Sequence, residues 1–116
     1  MISRSHRFHG RGSLRQVYQS GSSAKGPAFA IKYLHNPRRK DYRLAVVVSR
    51  KVEKSAVGRN RIRRRLYACV RENAESLNGP YDIVITVFSN SIIDEPAAKL
   101  SEQVARQLAA AGLLTR

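Results

Sequence analysis

The residues best equipped for chemistry crowd into positions 49–65, SRKVEKSAVGRNRIRRR, where Arg50, Lys51, Lys54, Arg59, Arg61, Arg63, Arg64 and Arg65 stand against one acid, Glu53. Guanidinium groups bind rather than break bonds: the planar fork grips phosphate oxygens bidentately and stacks on exposed bases. If the segment is a helix, Ile62 and Leu66 turn toward a core, while Arg59 and Arg63 lie one turn apart, as do Arg61 and Arg65. The arginines then fan over an exposed side with no acidic partner one turn away. They repel one another and oppose the helix dipole, and a bound phosphate relieves both. Asn60 can donate to a phosphate and exchange hydrogen bonds with a 2′-hydroxyl, which suits RNA. It reads nearly as well as a capping or surface amide.

A second candidate surface is a groove formed by the first helix and a strand. There Tyr18, Phe29 or Tyr33, and Lys32 would stack single-stranded nucleotides, at about 1–3 kcal/mol per base. Aromatics at strand and helix periodicity also read as core, and for Phe29 and Tyr18 core is the stronger reading.

No catalytic constellation competes with binding. The eight acids form no metal-binding or acid/base motif. Cys69 and the scattered His6, His9 and His35 lack zinc-ligand spacing, so no cofactor held by protein side chains is expected. No glycine-rich phosphate loop follows a strand. A lone cysteine fits a reducing compartment. The absence of a long apolar stretch or a secretory signal leads to the expectation of a cytoplasmic protein without a membrane partner. Nothing in the sequence speaks for or against self-association.

Composition agrees with a polyanion partner. The 116 residues carry 22 Lys and Arg against 8 Asp and Glu, a net charge of +14. Such an excess makes the folded chain repel itself until phosphates neutralise it and release their counterions. A hydrophobic fraction of 42% nevertheless supports a folded core.

The elements that must position these residues read as α-β-β-α-β-α in one domain, 1–116. A basic arm occupies 1–12. A short helix over 13–20 is capped by Ser13, with Leu14, Val17 and Tyr18 at helical spacing. A strand over 28–34 alternates Phe29, Ile31 and Tyr33 against Ala30, Lys32 and Leu34. A strand over 43–49, apolar on both faces, reads as central. The basic helix runs over 57–77, with the stripe Ile62, Leu66, Cys69, Val70 and Leu77, and is stopped by Asn78, Gly79 and Pro80. A strand over 81–88 precedes a last helix capped by Asp94, with stripe Ala97, Leu100, Val104 and Leu108, ending at Gly112. This order implies an α+β, two-layer α/β sandwich with a mixed sheet and a βαβ crossover between the last two strands.

SRKV followed by AVGRNRIRRRL resembles the signature of the bacterial ribonuclease P protein component, in which a strand leads into a helix opening with Arg-Asn-Arg. The likeness extends to an N-terminal Arg-Phe followed by Leu14, Val17, Tyr18 and Gly21, to GPAF, and to YDIVIT. It implies an α/β sandwich whose βαβ crossover is left-handed, against the usual preference. It also implies a non-catalytic subunit of an endoribonuclease, partnered by a catalytic RNA that uses Mg2+ to remove the 5′ leader of precursor tRNA. Carried onto this sequence, Arg50, Lys51, Lys54, Arg59, Asn60, Arg61, Arg63 and Arg64 would contact the catalytic RNA, and Tyr18, Phe29 or Tyr33, and Lys32 would meet the leader. The sequence departs from the family pattern at Glu53, commonly glycine, at Tyr67, usually basic, at Leu14, often phenylalanine, and at Lys32, a tyrosine in some members. The competing class is a ribosomal or ribosome-assembly RNA-binding protein of similar size and charge.

Overall fold

The longest run of β-branched residues, YDIVITV, becomes the centre of the sheet. In the computed structural model, which describes residues 11–115, this strand is β4 (Tyr81–Val87), and it lies between β2 (Phe29–His35) and β3 (Arg43–Val47). The full sheet order is β1-β2-β4-β3, with β1 (Ser22–Lys25) on the outer edge. β2 runs antiparallel to β4 and β3 parallel to it, the latter pair joined through α2 (Ala56–Glu72). The expected α+β class, mixed sheet and βαβ crossover are therefore present.

Three readings need correction. β3 is an edge strand rather than a central one: its second face carries Arg43, the small Ala45 and the exposed Val47, so an apolar run on both faces did not signify cover on both sides. β1 has no counterpart in the expected order because SSAK has neither apolar alternation nor bulk; it is held by its antiparallel ladder with β2. Helix boundaries also shift. α1 spans Arg11–Ser20, so Ser13 lies inside it rather than capping it; of the basic arm, residues 1–10 lie outside the described residues.

α2 stops at Glu72 because Asn73 caps it, its Nδ2 donating to Cys69 O at 2.9 Å. A 3-10 turn, Ala74–Ser76, then fills the stretch expected to be helical. The last helix, α3, is Ala97–Ala110 with Pro96 at its N-cap position, and Asp94 instead closes the 3-10 turn Asn90–Ile93. Two residues past α3, Gly112 has a φ of 81° that permits the reversal in which Gly112 N–H donates to Ala109 O and Leu113 N–H to Leu108 O.

Paired residues of neighbouring strands share a face, so the register fixes what each face carries. Ile31, Ile85 and Val46 form one row on the inner face, which α2 and α3 cover with Ile62, Leu66, Val70, Leu100, Val104 and Leu108. On the outer face, Ser23, Lys32, Val84 and Ala45 form one row, and Lys25, Ala30, Thr86 and Val47 the next. α1 packs on this outer face against β2 and β4; Val17 and Val84, both fully buried yet outside the main core, mark where it sits. At the far end of the face the Asp82 carboxylate takes both Nε and Nη2 of Arg43 at 2.8 Å and Asn36 Nδ2 at 3.0 Å, pinning the parallel register of β3 and β4.

Candidate nucleic-acid interface

The basic segment forms a strap, residues 49–55, and the first turns of α2. Ser49 O accepts from the N–H groups of Val52 and Glu53, which bends the strap back on itself. Ser55 is the helix N-cap, its hydroxyl accepting from Gly58 N–H at 3.2 Å. Ile62, Leu66, Cys69 and Val70 anchor the helix in the core, which fixes the directions of the residues between them.

Those directions divide the arginines. Arg50, Lys51, Lys54, Asn60, Arg61 and Arg64 are exposed, whereas Arg59 and Arg63 are half-buried. Arg59 Nη1 donates to Glu53 O at 3.0 Å and to Lys54 O at 2.8 Å, tying helix to strap. Arg63 Nη1 donates to Asn60 Oδ1 at 3.2 Å, one turn away. Arg65 donates to three carbonyls of the connection between β4 and α3, those of Ile92, Ile93 and Glu95, and Arg61 Nε joins it on Ile93 O at 3.1 Å. Among the described residues no α2 arginine is ion-paired with a carboxylate, so their charge is not cancelled within the chain. Val57, 76% exposed, lies amid this charge.

The groove also exists, with different walls from those the sequence suggested. Phe29 is 1% exposed and lies in the main core, and Tyr33, on the same inner face, donates its hydroxyl to Ala111 O at 2.9 Å. Neither lines the groove, because strand alternation sends both away from Lys32. Tyr18, for which core was the stronger reading, is 40% exposed instead. Lys32 Nζ donates to Tyr18 O at 2.8 Å and stands 5.4 Å from the Tyr18 ring centroid.

A depression of about 320 Å³ runs from this pair over Ser23, Ala30 and Thr86 to a second lysine–aromatic pair, Lys25 and Phe88, 6.0 Å apart. Phe88 is 45% exposed. Sequence reasoning missed Lys25, Phe88 and the small floor residues. Parity was the available signal, since 30 and 32 on β2, 84 and 86 on β4, and 88 just after it share one parity set.

The remaining candidate groups do not assemble. No three His, Cys, Asp or Glu side chains among the described residues are placed to hold a metal ion. Burial pushes the Cys69 thiol up to about 11, with Glu72 adding to the shift and Arg65 opposing it, so it is no ready nucleophile. No helix among the described residues is long and apolar enough to cross a membrane.

Comparison with known proteins bears on the family and the fold. The family model described as Ribonuclease P matches residues 2–112. The ribonuclease P protein component of Chloroflexus aurantiacus is 35% identical over 111 residues, covering 96% of this chain and 81% of that protein. That of Pseudanabaena sp. is 34% identical over 87 residues, 75% of each chain. Among solved structures, the Staphylococcus aureus RNase P protein superposes with a TM-score of 0.82 at 20% identity, covering 94% of this chain and 97% of that one. The RNase P protein from Thermotoga maritima gives 0.75 at 23% identity, covering 86% and 92%. The chain therefore belongs to the ribonuclease P protein component family.

Proposed function

We propose that this chain acts as the non-catalytic protein subunit of ribonuclease P, docking the catalytic RNA through α2 and its strap and holding the 5′ leader of precursor tRNA in the outer-face groove. One observation carries the reading: a rigid helix face on which Asn60, Arg61, Arg63 and Arg64 are unopposed by any carboxylate, beside the exposed Arg50, Lys51 and Lys54. Folded RNA supplies the missing negative charge. Because α2 returns from the end of β3 toward the start of β4, its N-terminus and the Phe88 end of the groove lie at the same end of the sheet. One RNA complex can then engage both. Tyr18 and Phe88 offer stacking faces, and Lys32 and Lys25 offer phosphate contacts beside them.

Mg2+ belongs to the RNA subunit in this reading, and the protein strengthens its use by neutralising phosphates nearby. Cytoplasmic action is part of the same proposal.

Reconstitution with a bacterial ribonuclease P RNA across a magnesium titration, using precursors with and without a leader, tests it. The protein should lower the magnesium requirement, most strongly for leader-bearing substrate, and should cut nothing alone. Cleavage indifferent to added protein refutes the proposal. Cleavage by the protein alone points to a self-contained nuclease, and co-sedimentation with ribosomal subunits without leader dependence points to the ribosomal alternative.

A further inference from the structure

Glu53, the one acid of the basic segment, occupies a position that charge alone does not explain. Its Oε2 accepts from Ser55 N–H at 3.1 Å, and its Oε1 from Asn90 Nδ2 at 3.4 Å. Ser55 is the N-cap of α2 and bonds Gly58 N–H, the usual first half of a reciprocal cap. In the ordinary version, a glutamate at the third helical position reaches back to the cap residue's own N–H. Here that position is Gly58, which has no side chain to do so, and Glu53 supplies the carboxylate from two residues before the cap.

A side chain at position 58 would also collide with the Glu53 carboxylate where it stands. A Cβ built on Gly58 would stand 2.7 Å from Glu53 Cγ and 2.8 Å from its Cδ and Oε2. Glycine within a helix is unfavourable relative to alanine, so room for the carboxylate is what recommends it here. Through Asn90 the same carboxylate joins the strap to the 3-10 turn that Arg61 and Arg65 grip from α2. Arg59 closes the loop by donating to Glu53 O and Lys54 O.

We infer that Glu53 is a positioning residue: the chain's own anion, holding strap, helix start and turn in one arrangement so that Lys54, Arg59 and their neighbours meet RNA as a single preformed surface. The inference rests on the RNA-docking reading above. It has a counter-intuitive sign, because removing Glu53 makes the segment more positive yet weakens its grip on RNA.

The experiment measures affinity of the full chain for a bacterial ribonuclease P RNA over a salt series, at a temperature where every variant is folded by circular dichroism. Glu53→Ala, which removes the acceptor that the amide oxygen of Glu53→Gln would still offer Ser55 N–H, should weaken binding about three- to tenfold, the range expected for loss of a helix cap. It should also flatten the log-log salt dependence by about 0.7–0.9, one phosphate contact. Gly58→Ala should weaken binding comparably in the wild type but cost nothing in a Glu53→Ala background, where the colliding carboxylate is gone. Equal or tighter binding by Glu53→Ala with an unchanged or steeper slope overturns the inference, as does the same Gly58→Ala penalty in both backgrounds. Should Glu53→Ala fail to fold, Gly58→Ala in the wild-type chain decides alone, and undiminished binding by it overturns the inference. A wild-type chain with no salt-dependent affinity for the RNA would instead overturn the docking reading itself.

Discussion

Arg64 and Arg65 are neighbours of the same type on the same helix, and opposite consequences are expected from their loss. Arg64 is exposed, and its side chain makes no hydrogen bond among the described residues. Arg65 is half-buried and donates to Ile93 O at 2.9 Å and to the carbonyls of Ile92 and Glu95. Each charge-assisted bond contributes about 1.5–3 kcal/mol, but the three share one side chain, and Ile93 O keeps Arg61 as a donor. Arg65→Ala should therefore destabilise the fold by about 2–4 kcal/mol, or about 8–15 °C in Tm for a domain of this size. Arg64→Ala should change stability by no more than about 0.5 kcal/mol. On RNA the order reverses: Arg64→Ala should flatten the log-log salt dependence by about 0.7–0.9, and Arg65→Ala, assayed well below its Tm, should leave that slope unchanged. Urea unfolding and filter binding over a salt series measure the two effects. A stable Arg65→Ala protein with a flattened slope, or a wild-type slope for Arg64→Ala, would show that the division of the arginines drawn from their hydrogen bonds is wrong.

The groove, the buried ion pair and the thiol carry three further expectations. Tyr18→Ala and Phe88→Ala should each cost leader-bearing precursor about 1–3 kcal/mol of binding and leave leaderless substrate unaffected; equal losses for both substrates would place these rings outside the leader path. Asp82 is 3% exposed, and Asp82→Ala leaves Arg43 without its carboxylate, so unfolding in urea should show a loss of about 3 kcal/mol or more, and less than 1 kcal/mol would mean the pair does not hold the β3–β4 register. Cys69 has a folded value of about 11 against an ordinary 9.0, so the native thiol should be at least about a hundredfold slower toward an alkylating reagent at pH 8 than the unfolded one. Since folding raises this value, the thiol's contribution to stability is complete below pH 9.0 and is lost as pH climbs toward about 11; stability that rises over that window contradicts the assignment.

What the sequence made legible depended on whether a residue's environment was local. The stripe Ile62, Leu66, Cys69 and Val70 is set by helical period alone, and the structure buries all four. The walls of the groove depended on strand parity and on α1 lying across the sheet, which no local pattern reports. Phe29 and Lys32 are three residues apart and so fall on opposite faces, an inference parity allowed, while Lys25 entered the groove only because the polar SSAK forms an edge strand. Helix ends misled for a different reason. Asp94 and the Asn-Gly-Pro at 78–80 are ordinary capping and stop signals, but Asn73 intercepts α2 first and Pro96 displaces the start of α3, and intrinsic preference does not rank competing caps.

A final consequence concerns charge counting. Seven of the eight cations within 49–65 were expected to contact RNA, but the helix turns about 100° per residue, and that rotation decides what each arginine meets. Arg61 and Arg65 swing toward the Asn90–Ile93 turn, Arg59 toward the strap, and Arg64 toward solvent. The inward-turned arginines exchange hydration for carbonyl oxygens, which holds their charge near the surface without leaving it free to move. Their cost in mutual repulsion is borne by backbone dipoles instead of acids, so the shoulder keeps a positive field without internal ion pairs that RNA would have to break. The measured number of released counterions should accordingly fall below the count of basic residues, while the rigidity those carbonyl contacts impose keeps the remaining contacts in register for a folded RNA surface.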